Sequence, residues 1–247
     1  MKIYDPNFPQ NKVTFALVGQ EYREITDALK KLSIYVIEIK KNNLFPSMEA
    51  CHADLRAHHL GGNEIVVYKE DTELASALRD RGFFVYEAEN ELCGSYPKSA
   101  SLNAARIGNI LLCNAKNLDG AILKYAQQNS LKIVDCKQGY SRCATCIVSK
   151  NAVITSDKSV YKSLSPYLDV LLISQGSIGL GNTQDGLIGG ASALIDKNTL
   201  AFCGNIKPHP DYESIEKFLK KHNVTAVCLT NERLLDIGSI IVLETAK

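Results

Sequence analysis

Gly238-Ser239-Ile240-Ile241-Val242-Leu243 has the β-branched, apolar pattern of a strand, and no second strand follows it. Val13-Thr14-Phe15-Ala16-Leu17-Val18 reads as a strand with none before it, followed by an amphipathic helix over Glu21–Leu32 and a strand over Ser33–Ile39. Put together, the two ends make one unit of strand, strand, helix, strand. That order matters because the chain between them repeats it four times.

The first copy has strands at Asp54–Leu60 and Ile65-Val66-Val67 around the turn Gly61-Gly62-Asn63, a helix over Thr72–Arg81 and a strand over Phe83–Glu87. The second has Leu102–Ile107, the turn Gly108-Asn109, Ile110-Leu111-Leu112, a helix over Leu118–Asn129 and Leu131–Cys136. The third has Ala144–Val148, Ser149-Lys150-Asn151, Val153-Ile154-Thr155, a helix over Lys158–Leu168 interrupted by Pro166, and Val170–Ser174. The fourth has Ala191–Ile195, Asp196-Lys197-Asn198, Leu200-Ala201-Phe202, a helix over Asp211–His222 and Thr225–Leu229. Second strands start at Ile65, Ile110, Val153 and Leu200, spaced by 45, 43 and 47 residues, which is the signature of a structural repeat. An open Gly238–Leu243 edge would expose unpaired backbone groups, and pairing it with Val13–Val18 removes them. The expectation is a closed ring of five ββαβ units, an α/β propeller in one domain over residues 1–247, its fifth unit completed by both termini. The competing architecture is an open mixed sheet.

Composition narrows the partners. The 247 residues carry 28 basic and 27 acidic side chains, a net charge of +1 with no basic block, so nucleic acid and anionic membrane are not expected partners. No run approaches the roughly 18 apolar residues of a membrane span, and Met1–Pro6 lacks the apolar core of a signal peptide, so the expected location is the cytoplasm. Eight cysteines spread over a chain this long are expected to be reduced thiols. Several, such as Cys113 and Cys228, sit in apolar runs where a thiol acts as a small hydrophobe. Homodimerisation is allowed by this surface, and no cofactor motif is evident.

In a ring, the segments entering each first strand face a shared centre. They are Met48–Asp54, Pro97–Ser101, Gly139–Cys143, Gln184–Gly190 and Leu235–Ser239, and the reactive residue types gather there. His52 and Asp54, two apart on an expected strand, share a face where the carboxylate could orient the imidazole or bind a cation. A solvated pair at a strand end is the competing account. Cys143 and Cys146 form a C-x-x-C, which on a strand places the two thiols on opposite faces, so no metal is expected; a site including Cys136 is the alternative. Ser177–Gly181 lacks the third glycine of a phosphate loop and reads as a crossing or lid.

Five ββαβ units with termini meeting in one of them resemble the pentein fold of guanidine-modifying enzymes: arginine and agmatine deiminases, dimethylargininases and amidinotransferases. Those families carry a Gly-x-Ser-x-His-Cys-like nucleophile motif on the last first strand, a His-x-Asp motif and a Gly-rich acidic segment. Here Gly238 and Ser239 fit the first motif, but Ile241 and Val242 stand where the histidine and cysteine would be. Gly139-Tyr140-Ser141-Arg142-Cys143 resembles the nucleophile segment with Arg142 in the histidine slot, His52-Ala53-Asp54 resembles His-x-Asp, and Gln184–Gly190 resembles the acidic segment. The resemblance implies Cys143, His52 and Asp54 as catalytic residues, with Asp185, Arg142, Glu49, Cys51 and Asp236 binding substrate. Cys143 would act as a thiolate, its pKa lowered by Arg142 and His52, on a small cationic guanidinium or amidine compound, as a hydrolase or amidinotransferase. The alternative is a non-catalytic pentein that binds a ligand or a protein, as ribosome anti-association factors of this fold do.

Overall fold

The computed structural model describes residues Met1–Lys247. Five three-stranded sheets follow one another, each built as an antiparallel pair with a third strand added in parallel after a helix. The first unit comprises β3 (Ala57–Gly61), β4 (Glu64–Val67), α2 (Thr72–Asp80) and β5 (Phe84–Glu87). The second comprises β6 (Ala105–Ile107), β7 (Ile110–Cys113), α3 (Gly120–Gln128) and β8 (Lys132–Asp135). The third comprises β9 (Cys146–Ser149), β10 (Ala152–Thr155), α4 (Lys158–Leu164) and β11 (Asp169–Leu172). The fourth comprises β12 (Ser192–Asp196), β13 (Thr199–Phe202), α5 (Tyr212–Lys221) and β14 (Thr225–Cys228).

The fifth unit takes β15 (Ile241–Thr245) from the C-terminus and β1 (Val13–Gly19), α1 (Arg23–Lys31) and β2 (Tyr35–Ile39) from the N-terminus. β15 runs antiparallel to β1 from Val13 opposite Thr245 to Leu17 opposite Ile241, and β2 runs parallel to β1 on its other side. The termini thus complete one sheet, and no first strand is left without its partner.

The apolar core carries the ring. One buried cluster joins Leu60 and Val66 of the first unit to Leu102 and Leu111 of the second. A larger one runs from Ile107 and Leu112 through Ile147 and Val153 of the third to Leu194 and Phe202 of the fourth. A third couples Ala193 and Ala201 to Ala16, Val18 and Val242 of the fifth, and a fourth brings Phe15, Leu17 and Leu243 back to Ile65 and Val67 of the first. Each unit therefore buries one side against the unit before it and one against the unit after it, and the order returns to its start.

Local chemistry explains the element ends. Asp157 caps α4 by accepting from the Ser159 and Val160 backbone N–H groups at 2.7 and 2.9 Å. The helix stops at Leu164 instead of Leu168 because Pro166 disfavours helical backbone at the residue before it and lacks the N–H to continue. Gly108 adopts φ +56° in the two-residue turn between β6 and β7, where a left-handed conformation is required.

One expectation needs correction throughout. The first strands begin later than the apolar pattern suggests: β3 at Ala57 instead of Asp54, β6 at Ala105 instead of Leu102, β9 at Cys146 instead of Ala144, β12 at Ser192 instead of Ala191 and β15 at Ile241 instead of Gly238. The residues just before them form turns.

Candidate functional site

Those turns are hydrogen-bonded to one another in a closed circle. Asp54 N donates to Gly238 O at 3.1 Å, linking the first unit to the fifth. Asn103 Nδ2 donates to Asp54 O at 3.3 Å, and Asn103 Oδ1 accepts from Arg142 N and Cys143 N at 2.8 and 3.3 Å, so this one amide ties the first, second and third units. Gly190 N donates to Cys143 O at 2.8 Å, and Gly190 O accepts from Ile237 N and Ser239 N at 3.1 and 2.9 Å. All five entries are thereby held around one centre.

His52 and Asp54 do not lie on a strand. Ala53–Leu55 is a single 3-10 turn that begins at His52, and this turn, rather than strand alternation, presents the pair. Cys143 likewise sits in a turn, three residues before Cys146 starts β9, so the C-x-x-C is divided between turn and strand. Cys136 contacts Gln138 O and Ser141 Oγ, and the three cysteines do not form a ligand cluster.

The structure brings His52, Asp54 and Cys143 together: one donor atom from each lies within 4.8 Å of the others, and all three residues are buried. The Cys143 thiol donates to Asp54 Oδ2 at 2.9 Å, and Ser239 Oγ donates to the same oxygen at 2.7 Å. Asn103 Nδ2 approaches the sulfur at 3.5 Å. His52 Nε2 and Asp54 Oδ1 are buried with no hydrogen-bond partner. Burial, then the neighbouring Asp54 and Asp236 carboxylates, push the Cys143 thiol well above its ordinary pKa, which corrects the expectation of a thiol lowered by Arg142 and His52. The Arg142 guanidinium is spent on the carbonyls of Thr145 and Gly189, at 3.3 and 3.2 Å, holding the third and fourth entries together.

Asp236 lies at the same centre. Its two oxygens accept from Gly238 N at 3.0 Å and Leu187 N at 2.9 Å, and burial raises its pKa to about 6. Asp185 does not join it. Gly186 N bonds to Ile178 O and Gly179 bonds to Leu234 and Asp236, which lays this stretch along the fifth entry and leaves the Asp185 side chain exposed. Glu49 stands apart from the trio and accepts from the Tyr140 hydroxyl at 3.0 Å. Cys51 is buried beside Gly19 and Tyr22, and burial raises its thiol as well.

Two contributors escaped the pattern. Asn103 and Tyr22, whose ring centroid is 6.4 Å from that of His52, were not singled out, and Ser239 was read only as a match to the Gly-x-Ser motif. The available signal for Asn103 and for the role of Ser239 was position: Asp54, Asn103, Cys143, Gly189 and Ser239 each fall two or three residues before a first strand.

Solved structures share the architecture of this chain. The inosamine-phosphate amidinotransferase of Streptomyces griseus superposes with a TM-score of 0.60 at 9% identity, over 100% of this chain and 98% of the other. An agmatine deiminase from C. jejuni gives a TM-score of 0.57 at 11% identity over 100% and 98%. A dimethylarginine dimethylaminohydrolase of Pseudomonas aeruginosa gives 0.54 at 7% over 90% and 93%. The chain therefore has the pentein fold. No characterised protein matches it in sequence. Residues 17–241 match the model of a family of unknown function (DUF6873), and the chain belongs to that family, a divergent branch of the fold.

Proposed function

We propose that the chain is a thiol-dependent enzyme acting at a C–N bond of a small guanidinium or amidinium compound, as a hydrolase or amidinotransferase. The observation that carries this is the Cys143 thiol donating to Asp54 within reach of an unpartnered His52 at the hydrogen-bonded centre of the ring. Solved structures of this fold include amidinotransferases, an agmatine deiminase and dimethylarginine dimethylaminohydrolase, and their names support the substrate class.

In the ligand-free molecule the thiol keeps its proton, because a thiolate beside two carboxylates in a buried site is unfavourable. A cation held by Asp54 and Asp236 reverses that balance. The thiol proton passes to Asp54 as Sγ bonds to the amidine carbon; the C–N bond then breaks, the leaving nitrogen taking a proton relayed through His52. Water, or an acceptor amine in a transferase, then attacks the amidino-cysteine and restores the thiol. Asp236 holds the cation, while Arg142 and Asn103 position the turns.

The test needs no substrate. An amidinium-bearing alkylating agent, a haloacetamidine, is expected to label Cys143 at least tenfold faster than the matched neutral haloacetamide, as read by intact mass and peptide mapping. Cys143→Ser should abolish labelling and Asp54→Asn should slow it. Equal rates, or a native thiol that neither reagent reaches, overturn the reaction. That result supports the second function class, a ligand-binding pentein without thiol chemistry, which Val242 in the usual nucleophile position favours.

A further inference from the structure

Asp54 uses its two oxygens unevenly. Oδ2 accepts two hydrogen bonds, from the Cys143 thiol at 2.9 Å and from Ser239 Oγ at 2.7 Å, while Oδ1 is buried and accepts none. The oxygen that faces the nucleophile is therefore the one Ser239 occupies. The hydroxyl has a second acceptor within reach, Gly189 O at 3.1 Å, but only one proton. Gly189 O already accepts from Arg142 Nη1 at 3.2 Å, and the carboxylate is both nearer and the stronger acceptor, so the proton goes to Asp54.

Serine is also an unusual residue for this place. Ser239 is fully buried at φ +67°, a left-handed conformation that glycine adopts without strain and serine does not. Strain of this kind persists only where the surroundings hold it, and here they hold the hydroxyl between Asp54 and Gly189.

We propose that Ser239 is a positioning residue whose hydroxyl competes with the Cys143 thiol for Asp54 Oδ2, weakening Asp54 as a base and making activation of the thiol depend on a bound cation. This rests on the reaction proposed above and adds a control to it. A carboxylate oxygen that already accepts one strong hydrogen bond draws a second proton less. Without a cation, the thiol stays a weakly polarised S–H. A guanidinium held by Asp54 and Asp236 supplies the positive charge that a thiolate needs, and the proton then passes from Sγ to Oδ2, with the Ser239 O–H bond kept intact throughout. A neutral compound of the same shape brings no such charge and meets an unactivated thiol. Ser239 thus sets the preference for cations.

Two variants of the full chain remove the hydroxyl: Ser239→Ala keeps the left-handed strain and Ser239→Gly relieves it, so what they share belongs to the hydroxyl. The first readout is the infrared S–H stretching band of Cys143, assigned by its loss in Cys143→Ser. In both variants it should move to lower wavenumber, because Oδ2, freed of one donor, accepts the S–H bond more strongly. The second is alkylation at neutral pH. The neutral haloacetamide should label Cys143 about threefold faster or more, a fraction of the roughly tenfold that one charge-assisted hydrogen bond represents in an equilibrium, and the preference for haloacetamidine should shrink accordingly. A hydroxyl that only braced the turns would leave the thiol bond looser, so a band that stays in place or moves to higher wavenumber overturns the proposal, even if labelling speeds up. Should Ser239→Ala fail to fold, Ser239→Gly decides alone. A haloacetamidine preference in the wild type with an unmoved band sinks the role of Ser239 and leaves the reaction; a shifted band with equal wild-type rates sinks the reaction and leaves the competition for Asp54.

Discussion

Gly238 shows how much of the centre depends on single residues. It adopts φ +70°, and a Cβ there would sit 2.3 Å from His52 Cβ, while its carbonyl accepts from Asp54 N at 3.1 Å. Gly238→Ala adds about 1–2 kcal/mol of left-handed strain and forces the His52 turn to move. Haloacetamidine labelling of Cys143 should fall at least tenfold. Gly62→Ala is the control, since Gly62 has φ +58° with nothing within 4 Å of the added carbon, so labelling should be unchanged there. Equal effects of the two substitutions would reject the positioning argument. Chemistry at this scale was partly legible. Cys143, His52 and Asp54 stood out because their two segments, at strand entries, resemble the nucleophile and His-x-Asp motifs of the guanidine-modifying families. Asn103 did not, because asparagine is an ordinary turn residue, and Ser239 stood out only as a motif match, with nothing to tie it to Asp54. Asp185 misled because an acid in a glycine-rich stretch says nothing about which way its side chain turns.

Among the elements, β-branched runs and turn signals placed all fifteen strands and five helices, and the errors lie at the boundaries that carry function. Leu55, Leu102 and Ala144 are buried and extend the apolar pattern of the strands after them, so periodicity reads them as strand. Their backbone instead turns to meet neighbouring units, and contacts far along the chain decide that. The third unit links such a turn to a helix end: Asp157 caps α4 and also accepts from Gln138 Nε2 at 2.9 Å, while Gln138 Oε1 accepts from Tyr140 N at 3.1 Å in the turn leading to Cys143. Asp157→Ala should cost about 1–2 kcal/mol in urea denaturation, and Asp157→Ser should recover much of it. A loss below about 0.3 kcal/mol would mean the cap is replaced by solvent.

Across the whole molecule, fivefold order was legible because each unit repeats one pattern of apolar strands, turn and helix, and because the terminal strands are complementary. The titration of the assembled molecule was not, since it depends on burial at the seams. His58 and His59 on β3 were given no role from sequence. Burial lowers their pKa values to about 3 and 4, with Leu102 O 3.2 Å from His58 Nδ1 and Gly62 O 3.1 Å from His59 Nε2. Below an ordinary histidine value of about 6.5, the unfolded chain binds two protons that the folded chain refuses, so stability is full above that pH and falls as pH drops toward 4. Asp236 opposes this: its carboxyl, raised to about 6, takes its proton in the folded state first and stabilises the fold between about pH 6 and its ordinary value. His209, whose pKa burial also lowers, adds to the two histidines, so against the one carboxyl there is a net uptake of protons on unfolding and stability falls as pH drops between about 6 and 4.5. Urea midpoints at pH 7, 6 and 5 measure it. Replacing His58 with Gln should flatten the slope, and Asp236→Asn should steepen it. A midpoint constant from pH 7 to 5 would show that the two imidazoles are protonated in the folded ring, and that the seam around β3 is open to water.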